Sequence, residues 1–169
     1  MAARRLEKGA CPARAARHRR RSPASAAPAR LDWKKCRIPT TLVAAGAARE
    51  RGLSTVMGGP NVVRGGSHSG NVAAAELARH GLLDILSSDY VPSSLLGAVM
   101  RLVEDEILTL PQALATVTRA PAKATSLHDR GAIEPGLRAD LVQVRMAELA
   151  DGSRHAVMRG VWREGRRVL

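Results

Sequence analysis

Aromatic residues are scarce in this chain: its 169 residues include two Trp, one Tyr and no Phe. Proteins that bind single-stranded nucleic acid stack the bases on aromatic side chains. The scarcity of aromatic residues therefore argues against a dedicated nucleic-acid-binding module. It leaves room only for nonspecific electrostatic binding, which needs Lys and Arg but no aromatic side chain.

Cysteine is also scarce, since the chain contains only Cys11 and Cys36. A disulfide framework uses several cysteines, and a structural zinc site usually uses paired ligands such as C-x-x-C. The sequence has neither pattern, and no apolar run approaches the roughly 20 residues needed to cross a bilayer. No apolar signal-peptide region follows the basic start. We therefore expect a cytoplasmic protein without a membrane segment.

Positive charge is concentrated at the start of the chain. Residues 1–37 contain 12 of the 27 Lys and Arg residues but only two of the 15 Asp and Glu residues. This segment is rich in Ala, Arg and Pro and has too few large apolar side chains to offset the entropy lost on ordering. Two interpretations stay open: a disordered basic arm that binds nucleic acid nonspecifically, or a frame artefact from GC-rich DNA.

After the boundary that we place between residues 37 and 38, the pattern becomes that of an α/β protein. Thr41 lies near the start of a helical pattern that ends at Gly52. Ser54–Gly58 and residues 82–88 are short apolar runs of the kind found in buried parallel strands. Asn71 is a suitable N-cap for a helix over residues 72–80.

Two further helices and a small β unit complete the predicted architecture. Residues 92–94 begin one helix, and a capping box formed by Thr109 and Gln112 begins another. From residue 128 to residue 169, turns and short extended runs predict a β unit attached to the α/β block of residues 38–127. Two parallel strands expose too much apolar surface to form a complete domain. We expect further chain on the N-terminal side, or a partner such as a second copy in a homo-oligomer, to complete the core.

A glycine-rich loop follows the first predicted strand and is a candidate anion site. Its glycines allow the backbone to approach a ligand, and the helix that follows directs its positive end toward the loop. The Arg64 guanidinium can bind two phosphate oxygens at once. The sequence predicts substrate-binding roles for five residues: Arg64, Gly65, Gly66, Ser67 and Asn71. The alternative is a flexible loop that only caps the next helix.

Asp89 and His68 are the candidate catalytic residues. Asp89 follows the second predicted strand, at the carboxyl edge where parallel sheets and barrels place their active sites. A carboxylate there can bind a divalent metal or accept a proton from water. His68 lies in the glycine-rich loop, where an imidazole can ligate a metal or donate a proton. The alternatives are an Asp that caps the next helix and a lone surface His.

Two motifs resemble the phosphonate-metabolism members of the amidohydrolase superfamily. They are MGGPNVVRGGSHSGN over residues 57–71 and DILSSDYVP over residues 84–92. A third, GAIEPGLRADLV over residues 131–142, is similar to the general tail of the superfamily, where the chain returns to a β-sandwich. The first two motifs together are much more specific than the third. The likeness extends over about residues 38–169.

The resemblance implies a metal-dependent (β/α) TIM-type barrel with a small β-sandwich. This chain would hold the C-terminal part of both, with the two predicted strands as the seventh and eighth of the barrel. The implied activity is the release of diphosphate from a phosphorylated sugar phosphonate in the carbon–phosphorus lyase pathway, with zinc or manganese as the cofactor. Asp89 would match the last-strand Asp that binds the metal and accepts the proton of the attacking water.

The chain also departs from the superfamily pattern. The His-x-His pair, the bridging carboxylate and the two mid-barrel His belong before the matched region, where residues 1–37 contain only His18. We therefore expect this fragment to bind no metal and to have little or no hydrolase activity by itself. A hydrolase of C–N bonds in cyclic amides and a non-enzymatic, basic-armed nucleic-acid-binding protein stay open as alternatives.

Overall fold

The computed structural model describes residues 36–67, 69–148, 150, 152 and 154–169, so all but the last two residues of the predicted arm lie outside the described residues. An α/β part is followed by a β part. In chain order the elements are β1 (Cys36–Arg37), α1 (Leu42–Glu50), β2 (Ser54–Gly58), α2 (Gly59–Val63), α3 (Ala74–Arg79), β3 (Ile85–Ser87), α4 (Ser94–Glu104), α5 (Leu110–Val117), α6 (Arg119–Ala124), β4 (Leu141–Glu148), β5 (Arg154–Arg163) and β6 (Arg166–Arg167).

The first three strands form one parallel sheet in the order β1-β2-β3. Helices connect the successive strands, as parallel pairing requires. The mixed α/β class predicted from the sequence is thereby confirmed. The sheet has one strand more than predicted, because Cys36 pairs with Ser54 at its edge.

Strand β1 begins two residues before the predicted boundary at residues 37 and 38. Cys36 is buried and packs with Val56 and Ile85 from the other two strands. A strand of two residues is too short to show an alternating pattern, and its pairing with β2 joins residues 18 positions apart. Its residues therefore look like the end of the basic segment in the sequence alone.

A polar cluster fixes the amino ends of β2 and β3. The backbone N–H of the buried Thr55 donates to Asp84 Oδ2 at 2.8 Å, and the Thr55 hydroxyl donates to the carbonyl of Leu82. Arg49 at the end of α1 pairs with Asp84 Oδ1 at 2.8 Å. These side-chain bonds occupy the segment before residue 85, so β3 is shorter than the predicted strand over residues 82–88.

The main core is built from small and medium apolar side chains, with Leu77 of α3 and Leu102 of α4 fully buried. It joins β2 and β3 to the four helices α1 to α4. Its buried members are Ala45, Met57, Val62, Val72, Ala74, Leu77, Ala78, Leu83, Leu86, Ala98 and Leu102. None of the helices within the described residues is long and apolar enough to cross a membrane.

Two helix starts occur where the local sequence predicted them. The Thr41 side chain accepts a hydrogen bond from the N–H of Ala44 at 3.1 Å, which caps α1. Thr109 and Gln112 form the predicted capping box at the start of α5. In both cases the partners are three residues apart, so the signal is contained in a short window of sequence.

The β part is a three-stranded antiparallel sheet in the order β4-β5-β6. Strand β5 runs without a break through Gly160, where the sequence predicted separate short pieces. The register shifts between Gln143 and Val144, opposite this glycine. A Cβ on Gly160 would lie 2.6 Å from the ring of Trp162, so the absent side chain makes room for the indole.

Asp140 joins the segment before β4 to the turn between β5 and β6. Its Oδ1 accepts the N–H of Glu164 at 2.9 Å, and its Oδ2 lies 2.7 Å from Arg138 Nε. The pKa of Asp140 lies below its usual value of 3.8, chiefly because of the hydrogen bond from the Glu164 N–H. Burial opposes this shift, and the Arg138 and Arg130 guanidiniums add to it. Asp140 belongs to the tail motif, and its contacts are those of a structural residue.

We expect Asp140→Asn to lower the free energy of unfolding by about 1 kcal/mol at pH 7, since Asn loses the charge but keeps an acceptor oxygen. A folded-state pKa below the unfolded value gives stability that is present above pH 3.8 and is lost as the pH falls through the folded value. Urea unfolding of both proteins at pH 7 and pH 3 measures this. A difference that is undiminished at pH 3 would contradict the charge-based explanation.

The matched control for this experiment is Asp105→Asn. Asp105 pairs with Arg101 one turn earlier on α4, at 2.9 Å and on an exposed surface. Such pairs contribute little, and the variant should unfold within about 0.5 kcal/mol of the unmodified chain.

Candidate functional site

The carboxyl ends of β2 and β3 lie side by side, because Gly58 pairs with Ser87 in the parallel register. The chain leaves β2 directly into α2, and it leaves β3 through a short loop that contains Asp89 and Tyr90. The structure thus places Asp89 at the carboxyl edge, where the strand pattern predicted it. Its side chain is exposed at this edge.

Gly58 makes the room that the Asp89 carboxylate occupies. A Cβ on Gly58 would lie 2.8 Å from Asp89 Oδ2, closer than real Cβ atoms approach, and 3.2 Å from Asp89 Cβ, which is also a tight contact. Asp89 itself has a φ of 50°, in the left-handed region that Asp tolerates better than most residues. Both features bring the carboxylate against the end of β2.

Ser94 holds the loop that carries Asp89. This buried side chain is the first residue of α4, and its Oγ donates to the carbonyl of Val91 at 2.7 Å. The same Oγ lies 3.4 Å from the carbonyl oxygen of Ser88. A Cβ on Gly59 would lie only 2.6 Å from it, so α2 can begin beside Ser94 only with glycine there.

Sequence reasoning missed the roles of Gly58, Gly59 and Ser94. A Gly-Gly pair at the end of a strand was the available signal, because glycine at a strand end often marks close backbone approach. The sequence does not show which segment approaches. That segment comes from the next strand–helix connection, about 30 residues further along the chain.

The predicted loop after β2 begins with a short helix instead. Residues 59–63 form α2, with Pro60 in its first turn. The N–H groups of Gly65 and Gly66 donate to the carbonyls of Val62 and Asn61, which closes this helix. Those two N–H groups are therefore engaged within the protein.

Asn71 is not the N-cap of the following helix. Helix α3 begins at Ala74, three residues later than Asn71, and its N-cap is Ala73. The Asn61 side chain in α2 accepts the N–H of Ala74 at 2.7 Å and supplies the cap from a distance of 13 residues. Asn71 is exposed, and the substrate-binding role predicted for it stays a prediction.

Arg64 follows α2 and reaches the loop after β3. Its Nη1 donates to the hydroxyl of Tyr90, and its guanidinium carbon lies 5.3 Å from the centre of the Tyr90 ring. Because Tyr90 adjoins Asp89, this contact brings a cation of the glycine-rich loop to the edge that holds the carboxylate. Tyr90 was not among the predicted site residues.

The other predicted loop residues have less definite surroundings. Ser67 is partly exposed, and its Oγ accepts the N–H of Ser69 at 3.2 Å. His68 lies outside the described residues, so the catalytic role predicted for it stays a prediction. The structure therefore brings Arg64 and Asp89 to one edge through Tyr90 and leaves the roles of Gly65, Gly66, Ser67 and Asn71 as predictions.

The described residues do not fit a zinc or manganese site. Among residues 36–67, 69–148, 150, 152 and 154–169, no group of three or more His, Cys, Asp or Glu side chains could hold a metal ion. Zinc is held by three or four such ligands. Asp89 supplies only one of them.

A sequence profile described as "Amidohydrolase family" matches residues 44–169. The match extends over more than half of the chain, and the chain belongs to the amidohydrolase family. This confirms the family that the motifs at the strand ends and in the tail indicated.

The chain is similar to the alpha-D-ribose 1-methylphosphonate 5-triphosphate diphosphatase of Escherichia coli (strain K12), with 56% identity over 133 residues. The alignment covers 78% of this chain and 34% of that protein, so the chain spans about a third of this curated relative. The expected likeness to a phosphonate-metabolism member is confirmed. A crystal structure of an adenine deaminase aligns with a TM-score of 0.47 and 16% identity, over 72% of this chain and 37% of that chain.

Proposed function

We propose that this chain is the C-terminal part of a diphosphatase that acts on α-D-ribose 1-methylphosphonate 5-triphosphate in phosphonate catabolism. The observation that carries the proposal is the 56% identity to the Escherichia coli enzyme with this activity. The presence of Arg64 and Asp89 at one sheet edge supports it. A triphosphate substrate needs cationic partners, and its hydrolysis needs a group that accepts a proton from water.

We infer that the parallel sheet is part of a (β/α) barrel. Strands alternate with helices in β1, β2 and β3, as in the repeating unit of such barrels. Strands β2 and β3 would be the seventh and eighth strands, and β4–β6 would be part of the small β-sandwich. In domain terms, residues 38–127 with the added β1 belong to the barrel and residues 128–169 to the sandwich.

In this proposal Asp89 accepts the proton of the water that attacks the triphosphate. Hydrolysis adds water across one P–O–P linkage and leaves diphosphate and the same sugar phosphonate with a single phosphate in place of the triphosphate. The Gly58 contact and the loop held by Ser94 fix the carboxylate at the strand end, where such positioning lowers the entropy lost in reaching the transition state. The whole enzyme would need zinc or manganese, and the described residues contain no group of ligands that could hold it.

Substrate binding in this proposal falls to the glycine-rich loop. The Arg64 guanidinium contacts phosphate oxygens, and Ser67 and Asn71 supply further hydrogen bonds, while Gly65 and Gly66 keep the backbone free of side chains. His68 is the candidate proton donor for the leaving diphosphate. The substrate is thus an anionic small molecule, a phosphorylated sugar phosphonate.

A chimera tests this function. The 133-residue matched segment of the Escherichia coli enzyme is replaced by the corresponding segment of this chain, and pyrophosphate release from the triphosphate is measured with zinc or manganese. We expect the chimera to release diphosphate and this chain alone to release none above the blank. A folded chimera that hydrolyses cyclic amides but not the triphosphate would contradict the proposal. Robust turnover by the chain alone would contradict the expectation that activity needs metal ligands from outside this chain.

A further inference from the structure

The contact between Arg64 and Tyr90 connects the two segments of the candidate site. The phenol oxygen accepts a hydrogen bond from Arg64 Nη1, and the guanidinium lies over the face of the ring, 5.3 Å from its centre. A cation above an aromatic ring is attracted by the negative charge of the ring face. The phenol therefore holds the guanidinium in two ways at once.

The position of Tyr90 is not explained by packing. Its side chain is 58% exposed, so it contributes little to the core. It is also the chain's one tyrosine, in a sequence with almost no aromatic residues. Its side chain accepts a hydrogen bond from Arg64 in the glycine-rich loop, 26 residues earlier in the chain.

The geometry shows what this contact does to the position of Arg64. Gly58 touches Asp89 at one end of α2, and Arg64 follows the other end. Gly58 and Arg64 flank this helix and are six positions apart, which is about 9 Å along a helix axis, so the backbone alone carries Arg64 away from the carboxylate. Tyr90 follows Asp89 in the loop after β3, and its contact holds the long Arg64 side chain against that loop.

We propose that Tyr90 is a positioning residue that fixes the Arg64 guanidinium against the loop that carries Asp89 and thereby sets the affinity of this edge for polyphosphate groups. The substrate class rests on the proposed function, whereas the contact itself does not. An Arg side chain free in solvent loses much rotamer freedom when it binds an anion. The phenol removes part of that freedom beforehand, and pre-ordering of this kind increases affinity.

Binding of tripolyphosphate to the full chain tests the proposal. The amide resonances of Gly65 and Gly66 in ¹⁵N–¹H NMR spectra report binding beside Arg64, apart from any binding to the basic residues 1–37. We expect Tyr90→Phe, which keeps the ring, to weaken binding about threefold, and Tyr90→Ala to weaken it about tenfold. Arg64→Gln should weaken it at least as much as Tyr90→Ala.

The matched control is Arg101→Gln, which removes an exposed cation on α4 that pairs with Asp105. It should leave the affinity measured at Gly65 and Gly66 unchanged. Unshifted core amide resonances show that each variant is folded. A wild-type chain whose Gly65 and Gly66 resonances do not respond to tripolyphosphate would overturn the proposal, and so would unchanged affinity in both Tyr90 variants.

A second measurement in the chimera distinguishes a positioning role from a structural one. Tyr90→Phe should raise KM several-fold and leave kcat within twofold, because the phenol acts on binding of the anion before and during reaction alike. A several-fold fall in kcat with unchanged KM would contradict the positioning role of Tyr90. If the chimera has no diphosphatase activity but the chain binds tripolyphosphate in a Tyr90-dependent manner, the proposed function fails and the positioning role stands.

Discussion

Asp89→Asn in the chimera is expected to reduce kcat for diphosphate release by about 10²–10⁴-fold, the usual contribution of a positioned proton acceptor. The amide has the size of the carboxyl group, and the space beside Gly58 that accommodates the carboxylate should also accommodate it. The loop fixed by Ser94 should likewise be unchanged. The loss would therefore come from the missing basic oxygen, because an amide cannot accept the proton of water at neutral pH.

Pyrophosphate release under saturating substrate measures this effect, and urea unfolding of the same proteins tests whether the fold is retained. Asp105→Asn serves as the matched control, since it changes the same chemical group at an exposed position just after α4. It should keep the activity of the chimera. An Asp89→Asn chimera with activity within a few-fold of the parent would exclude Asp89 as the proton acceptor.

Gly59→Ala is expected to lower the free energy of unfolding of the chain by about 1–3 kcal/mol, the usual cost of overpacking. The new Cβ would lie 2.6 Å from Ser94 Oγ and 3.4 Å from the carbonyl oxygen of Ser87. Ser94 is buried and hydrogen-bonded to Val91, so it cannot move aside without breaking that bond. The close approach of α2 to the start of α4 thus requires glycine.

The matched control is Gly46→Ala in the interior of α1. Apart from its chain neighbours and the backbone of its own helix, a Cβ built on Gly46 has no atom within 4 Å, and helix interiors favour Ala over Gly. This variant should be more stable than the unmodified chain by up to about 1 kcal/mol. Urea unfolding at pH 7 compares the two, and equal stability changes of the same sign would show that the contact with Ser94 has no special cost.

Part of the site could be predicted from the sequence. Features that depend on a few neighbouring residues were predicted, and contacts between residues far apart in the chain were not. Asp89 was assigned to the carboxyl edge because a short apolar run ends just before it, and the structure places it there. Asn71 was assigned as a helix cap because its residue type suits that position. The cap is supplied instead by the side chain of Asn61, which accepts the N–H of Ala74 because α2 packs against the start of α3.

The fold shows the same division. The α/β class and the caps at Thr41 and Thr109 follow from patterns that extend over a few residues. Strand β1 was missed, because Cys36 joins the sheet only through its pairing with Ser54. A strand of two residues carries no period of its own, so its existence depends on the neighbour that completes its hydrogen bonds.

The sequence by itself determined the family, the alternation of strands and helices, and the placement of one carboxylate at a strand end. These follow from residue type and short-range spacing, which do not depend on how the chain folds. Only the tertiary structure decided that Gly58 accommodates Asp89, that Ser94 holds its loop, and that Tyr90 meets Arg64. Most of these contacts join segments about 30 residues apart, and they form only when parallel pairing of β2 with β3 brings the two strand ends together.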